Sequence, residues 1–147
     1  MVIKPHETDV IEIDWSAAEE VARLKSDQDL EFYSRMFAWY DDSQDEKNTT
    51  AYKFPHHHVD DNGDPGAAVV RACVAAIAVL NGGRGGADIP DSDRRGVWEH
   101  VAKHLRDAGY EPAELKEIEQ TGVVVRDVND ALRETRSFEV RAIDEAA

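Results

Sequence analysis

Between Pro65 and Leu80 the chain is apolar on nearly every side, a run of Ala, Val, Ile and Leu broken by Arg71. Helix punctuation brackets it: Asp64 to cap free N–H groups, Pro65 at the first helical position, and Asn81-Gly82-Gly83 as a left-handed stop. The pattern predicts a core helix packed on more than one face. A second helix is predicted from Ser92 to Ala108, capped by Asp91 and ended by Gly109. Val97, Val101, Leu105 and Ala108 share its inner face, flanked by Trp98 and His104. Ser16 and Glu19 have the spacing of a capping box and predict a short helix from Trp15 to about Lys25, with Val21 and Leu24 inward. Leu30 to Tyr40 holds five of the eleven aromatic residues and reads as a helical turn to Arg35, then a strand from Met36 to Tyr40. The polar stretch 41–50 is a loop, and Ala51 to Phe54 returns as the second strand of a hairpin, stopped by Pro55.

These elements predict an α+β fold: a small helical core of two main helices (Pro65 to Leu80 and Ser92 to Ala108) with a β-hairpin and extended termini. Trp39, Phe54, Val74, Ile77, Val101 and Leu105 are its expected buried residues. The division is an N-terminal arm over 1–14, a compact module over 15–118, and a C-terminal extension over 119–147. A short helix is expected from Pro112 to Glu119 at the end of the module, and the extension holds a strand from Val123 to Val125 and an alternating pattern at Phe138, Val140 and Ala142. Both ends have few apolar anchors. Ordering an extended backbone costs about 1–2 kcal/mol per residue, so Val10, Ile11, Ile13, Phe138 and Val140 are expected to bind a partner surface.

Charge narrows the function. Against 31 Asp+Glu stand 17 Lys+Arg, a formal −14 that excludes the basic footprint nucleic acids require and disfavours anionic membranes. The longest apolar run is too short and polar to span a bilayer, and the first residues carry acids where a secretory signal carries bases. Six Lys against eleven Arg in so acidic a chain point to a saline environment, where screening offsets self-repulsion; an ordinary acidic protein is the alternative. Unchanged melting at low KCl would reject the halophile reading.

Of the residues that carry chemistry, Cys73 is alone in an apolar stretch and reads as a small core residue. The serines sit in caps and loops with no nucleophile elbow. Gly82 to Gly86 lacks the Gly-Lys-Ser/Thr ending of a phosphate loop and reads as a helix stop and linker; the acidic loop lacks EF-hand spacing. The histidines are more informative. His56, His57 and His58 are consecutive, and His100 and His104 are four apart on one predicted helix face, the spacing at which two imidazoles reach one Zn²⁺. A zinc site from His57, His100 and His104 is one reading. The other is packing: His104 at the core edge, His100 outward, and the triplet bonded to backbone in a turn. Glu99 precedes His100 and does not follow it, so the zincin arrangement is absent.

The order Phe37-Ala38-Trp39-Tyr40-Asp41, an acidic loop, Tyr52-Lys53-Phe54-Pro55-His56-His57, a helix ending Leu80-Asn81-Gly82-Gly83-Arg84-Gly85-Gly86, then Ile89-Pro90-Asp91 and a helix with His100 and Lys103-His104-Leu105 resembles a module of tailed-virus head proteins. Bacteriophages and haloarchaeal viruses carry that module fused to, or encoded beside, the prohead (head-maturation) protease. The similarity spans about residues 30 to 115, and Ser137 to Ile143 resembles the first strand of the protease. The protease's catalytic His and Ser have no counterpart in this sequence. The resemblance implies a non-enzymatic, capsid-associated structural protein: a decoration protein, minor capsid protein or assembly factor. It would work by protein–protein contacts with the major capsid protein, other virion head proteins or further copies of itself. Its place would be the virion, and the host cytoplasm during assembly. No cofactor is expected beyond the zinc named above. The alternatives are a His-ligated metal enzyme and a trans-acting partner of the prohead protease.

Overall fold

The computed structural model describes residues 1–118 and the pair Val124–Val125. Phe138 and Val140 lie outside the described residues. In chain order the elements are β1 (Val10–Ile11), α1 (Ala17–Arg23), α2 (Leu30–Ser34), β2 (Trp39–Tyr40), β3 (Tyr52–Lys53), β4 (His57–Val59), β5 (Pro65–Val69), α3 (Val70–Leu80), α4 (Arg94–Asp107), β6 (Glu117–Ile118) and β7 (Val124–Val125). The fold is α+β, as the sequence predicts. Residues 1–77 and 89–113 form one compact unit, and 78–88 with the described residues from 114 onward form a second.

In the first unit local signals act as expected. Ser16 Oγ accepts from the Glu19 amide to open α1, and Asp29 does the same for Phe32 to open α2. The hairpin forms with Trp39 opposite Lys53 and Tyr40 opposite Tyr52. It frames an aromatic core of Phe32, Tyr33, Phe37, Tyr40 and Tyr52, joined by Ile3, Met36, Ala51 and Val59, with Val21 and Leu24 packed at its margin. Trp39, Ile77, Val101 and Leu105 are buried, whereas Phe54 is half-buried.

The start of the core helix differs from the prediction. Residues 65–69 are not helical: β5 is the middle strand of a three-stranded sheet, parallel to β1 and antiparallel to β4. Pro65 takes the first strand position, where its missing N–H costs little. Asp64 caps nothing and pairs with Lys25 at 2.8 Å. The helix begins at Val70, and its inward face runs through Val70, Cys73 and Ile77. Val74 falls off that face and is 54% exposed, contrary to expectation. The second helix starts two residues late, after a 3-10 turn at Asp91–Asp93, and no side chain caps it. Asp93 instead accepts from Trp39 Nε1 at 2.8 Å.

The arm belongs to the first unit. Val10 and Ile11, expected to meet a partner, pair with Ala68 and Val69 of the same chain, and with Ile13 they are half-buried. Ile3 donates to the Ala38 carbonyl and is buried in the aromatic core, while Val2 bridges to Trp39. The arm also lies close against α4. A Cβ added to Gly96 would come within 2.8 Å of the Val2 side chain, so only glycine admits that approach. One turn on, His100 Nδ1 donates to the Ile3 carbonyl at 2.6 Å.

In the second unit α3 ends at Leu80, and Gly82, whose φ is 103°, supplies the left-handed stop. Asn81 then clasps the chain after residue 113: its Nδ2 donates to the Glu114 carbonyl and its Oδ1 accepts from the Lys116 amide. The helix expected over Pro112 to Glu119 is absent, because residues 111–116 run without regular structure into β6, which pairs antiparallel with β7.

Candidate metal centre

Three segments of the first unit bring five histidines together. The arm supplies His6, between the Val2 bridge and β1. The chain leaving β3 supplies His56 and His57 after a sharp bend at Phe54, whose φ of 64° is left-handed. Holding a bulky residue there costs about 1–3 kcal/mol, and Pro55 fixes the next step. The bend has a local use, since the Phe54 carbonyl accepts from His56 Nδ1 at 2.9 Å. Helix α4 supplies His100 and His104, which continue the stripe begun at Gly96, each one turn beyond the last.

The imidazoles of His56, His57, His100 and His104 are fully buried, and His6 is half-buried. His6, His56, His100 and His104 each offer a nitrogen, and these four lie within 4.8 Å of one another. Ring centroids are 4.9 Å apart for His56 and His100, 5.2 Å for His56 and His104, and 5.1 Å for His6 and His100. Zinc–imidazole bonds of about 2.0–2.1 Å need nitrogens about 3.4 Å apart, so the rings close on an ion with small inward shifts.

The hydrogen bonds decide which nitrogens face inward. A carbonyl only accepts, so His56 and His100 carry their protons on Nδ1, bonded to Phe54 and Ile3, and their Nε2 atoms are bare lone pairs. Those two Nε2 atoms and both nitrogens of His104 are buried with no hydrogen-bond partner among the described residues. A buried polar atom left so costs about 1–3 kcal/mol, and a packed core does not accumulate four of them in one place without compensation. Backbone carbonyls holding the far nitrogens of imidazoles are the usual outer support of a metal-binding histidine.

Burial also keeps these rings neutral, the state that ligates. It pushes His56 well below the ordinary histidine value, His57 down to about 3, and His100 and His104 each down to about 4; the neighbouring histidines reinforce it for His56 and His104. His6 is lowered by its partial burial and by Lys103. The gathered donors are all neutral nitrogen. Such a set suits Zn²⁺, Cu²⁺, Ni²⁺ or Co²⁺ and fits poorly with oxygen-seeking Ca²⁺ or Mg²⁺.

No family profile, curated protein or solved structure matches the chain. The site therefore rests on its own chemistry. Of the three residues named from the sequence, His100 and His104 lie in the four-nitrogen group. His57 lies beside it, with Nε2 3.0 Å from His6 Nε2 and Nδ1 2.7 Å from the Gly66 carbonyl. The triplet's member of the group is His56, and the arm's is His6. His6 carried no sequence signal, being a lone histidine in an extended segment. His58 points elsewhere, to the buried Glu20 at 3.1 Å. Glu99 is exposed and pairs with Arg106 at 3.9 Å. A cleft of about 420 Å³ has His6, Asp9, Arg35, Pro65 and Gly66 in its wall.

Proposed function

We propose that this chain is a protein–protein contact module of a tailed-virus head whose fold is closed by one transition-metal ion, zinc being the simplest candidate, held by His6, His56, His100 and His104. The observation that carries the metal is the set of buried imidazole nitrogens with no hydrogen-bond partner among the described residues. The viral assignment is supported by the sequence resemblance over residues 30 to 115. The ion acts as a staple: its ligands come from the arm, from the chain between β3 and β4, and from α4, so binding free energy is folding free energy.

Metal analysis of untagged protein, expressed with zinc and purified without chelator, tests the centre. About one equivalent per chain, with a melting temperature that falls on chelation, supports it; less than a tenth of an equivalent and no chelator effect rejects it. Copurification with mature particles at fixed stoichiometry tests the structural role, and pull-down of the maturation protease tests a partner role in trans.

The cleft at His6 favours a second reading, a metal enzyme in which a water reaches the ion from that side. Hydrolysis of activated esters or phosphodiesters by the zinc-loaded protein, lost on chelation, would support it.

A further inference from the structure

We infer that His57 is the positioning residue of this centre: it fixes the proton of His6 on Nε2 and thereby makes Nδ1 the nitrogen His6 gives to the metal. This rests on the metal reading above and deepens it.

The inference follows from a hydrogen-bond chain that can run in one direction. The Gly66 carbonyl lies 2.7 Å from His57 Nδ1 and can only accept, so His57 carries its proton on Nδ1. His57 is fully buried, and its ring bonds to the Gly66 carbonyl and to His6 with no carboxylate among the described residues to balance a second proton, which leaves its Nε2 as an acceptor. His6 Nε2 lies 3.0 Å from that lone pair and must donate to it. A neutral His6 with its proton on Nε2 has its lone pair on Nδ1. Gly66 is a strand residue of β5, between the Ala68–His57 and Pro65–Val59 ladder pairs, so the chain ends on strand backbone. His6 is the one ligand of the four that is not fully buried, and among the described residues no carbonyl is bonded to its ring. His57 does for His6 what the Phe54 and Ile3 carbonyls do for His56 and His100. The fifth imidazole of the cluster thus gains a role that packing alone does not give it.

The test begins with the wild-type chain loaded with ¹¹³Cd²⁺. Long-range ¹H–¹⁵N spectra should show His6 protonated at Nε2 and coupled to cadmium through Nδ1, and His57 protonated at Nδ1 with no cadmium coupling. Cadmium coupling at His6 Nε2, or at either nitrogen of His57, overturns the inference while leaving the metal centre intact. Failure of the wild-type chain to take up metal overturns both. In parallel, His57→Leu, which removes the chain, should weaken zinc affinity about 10–100-fold. His57→Gln, whose amide still offers a donor and an acceptor, should restore most of it. Equal affinities in wild type and His57→Leu would overturn the inference. The spectra of the wild type decide the question even if His57→Leu fails to fold.

Discussion

The first unit contains two buried clusters of rings, and they are finished to different degrees. In the aromatic core every polar handle is satisfied by the protein: Tyr33 Oη donates to the Lys25 carbonyl, Tyr40 to that of Gln44 and Tyr52 to that of Glu46, at 2.7–2.8 Å. In the histidine cluster four nitrogens have no partner among the described residues. Ile3 joins the two, with its side chain in the first and its carbonyl bonded to the second. The contrast teaches that burial alone does not define a core. One cluster is held together by contacts the chain makes with itself, and the other leaves buried nitrogens that, on the proposed reading, a metal ion satisfies.

That contrast is open to attack by mutation. Tyr33→Ala should give the largest loss, about 3–5 kcal/mol in chemical denaturation, and the loss should be the same with and without metal. A metal-dependent loss would mean that the two clusters are not separate in energy.

Acid should distinguish the clusters next. In the fold His100 and His104 stay neutral down to about pH 4 and His57 to about pH 3, whereas the unfolded chain takes up protons below about pH 6.5. Stability of the metal-free protein is therefore full above pH 6.5 and falls as the pH drops towards 4, by up to about 1.4 kcal/mol per pH unit for each buried histidine. Metal should move this acid transition to lower pH. A flat metal-free stability profile between pH 6.5 and 5 would show that the imidazoles are solvated.

Gly96→Ala attacks the arm that carries His6. Its new methyl must displace Val2, and a cost of about 1–3 kcal/mol with weaker zinc uptake is expected in calorimetric titration. The smallest effect on the bare fold is expected from His104→Leu, which removes two unpaired buried nitrogens and leaves an apolar side chain of similar size. Metal-free, it should melt within a few degrees of wild type or above it, while the stabilisation by zinc disappears. A strongly destabilised metal-free His104→Leu would show that the wild-type nitrogens are already satisfied.

Much of this was legible in the sequence where the signal was local. The Ser16 cap, the hairpin around the polar loop, the Asn81-Gly82 stop and the inward face of α4 all depend on residues a few positions apart. Pro65 to Val69 misled for the opposite reason. Their helix-like flanks are real, but pairing with Val10–Ile11, far away in the chain, decides their state, and the displaced helix start leaves Val74 outside. His100 and His104 could be read from their spacing. The choice of His56 over His57 hangs on the bend at Phe54, and His6 on where the arm lies, neither of which has a short-range signature.

The spacing of the four ligands also bears on the order of assembly. His6, His56 and the His100–His104 pair are separated by two stretches of about fifty residues. Closing each as a loop costs roughly 3–4 kcal/mol before any bond to the ion repays it. An ion therefore has little to nucleate in the collapsing chain; it meets a complete set only once the arm, the Phe54 bend and α4 have come together. During synthesis His6 emerges first and must wait for almost the whole described chain before its partners exist. On the proposed metal reading, occupancy of the centre is then a record that folding has finished, and a chain whose three segments have not yet met would be marked by the metal it fails to retain.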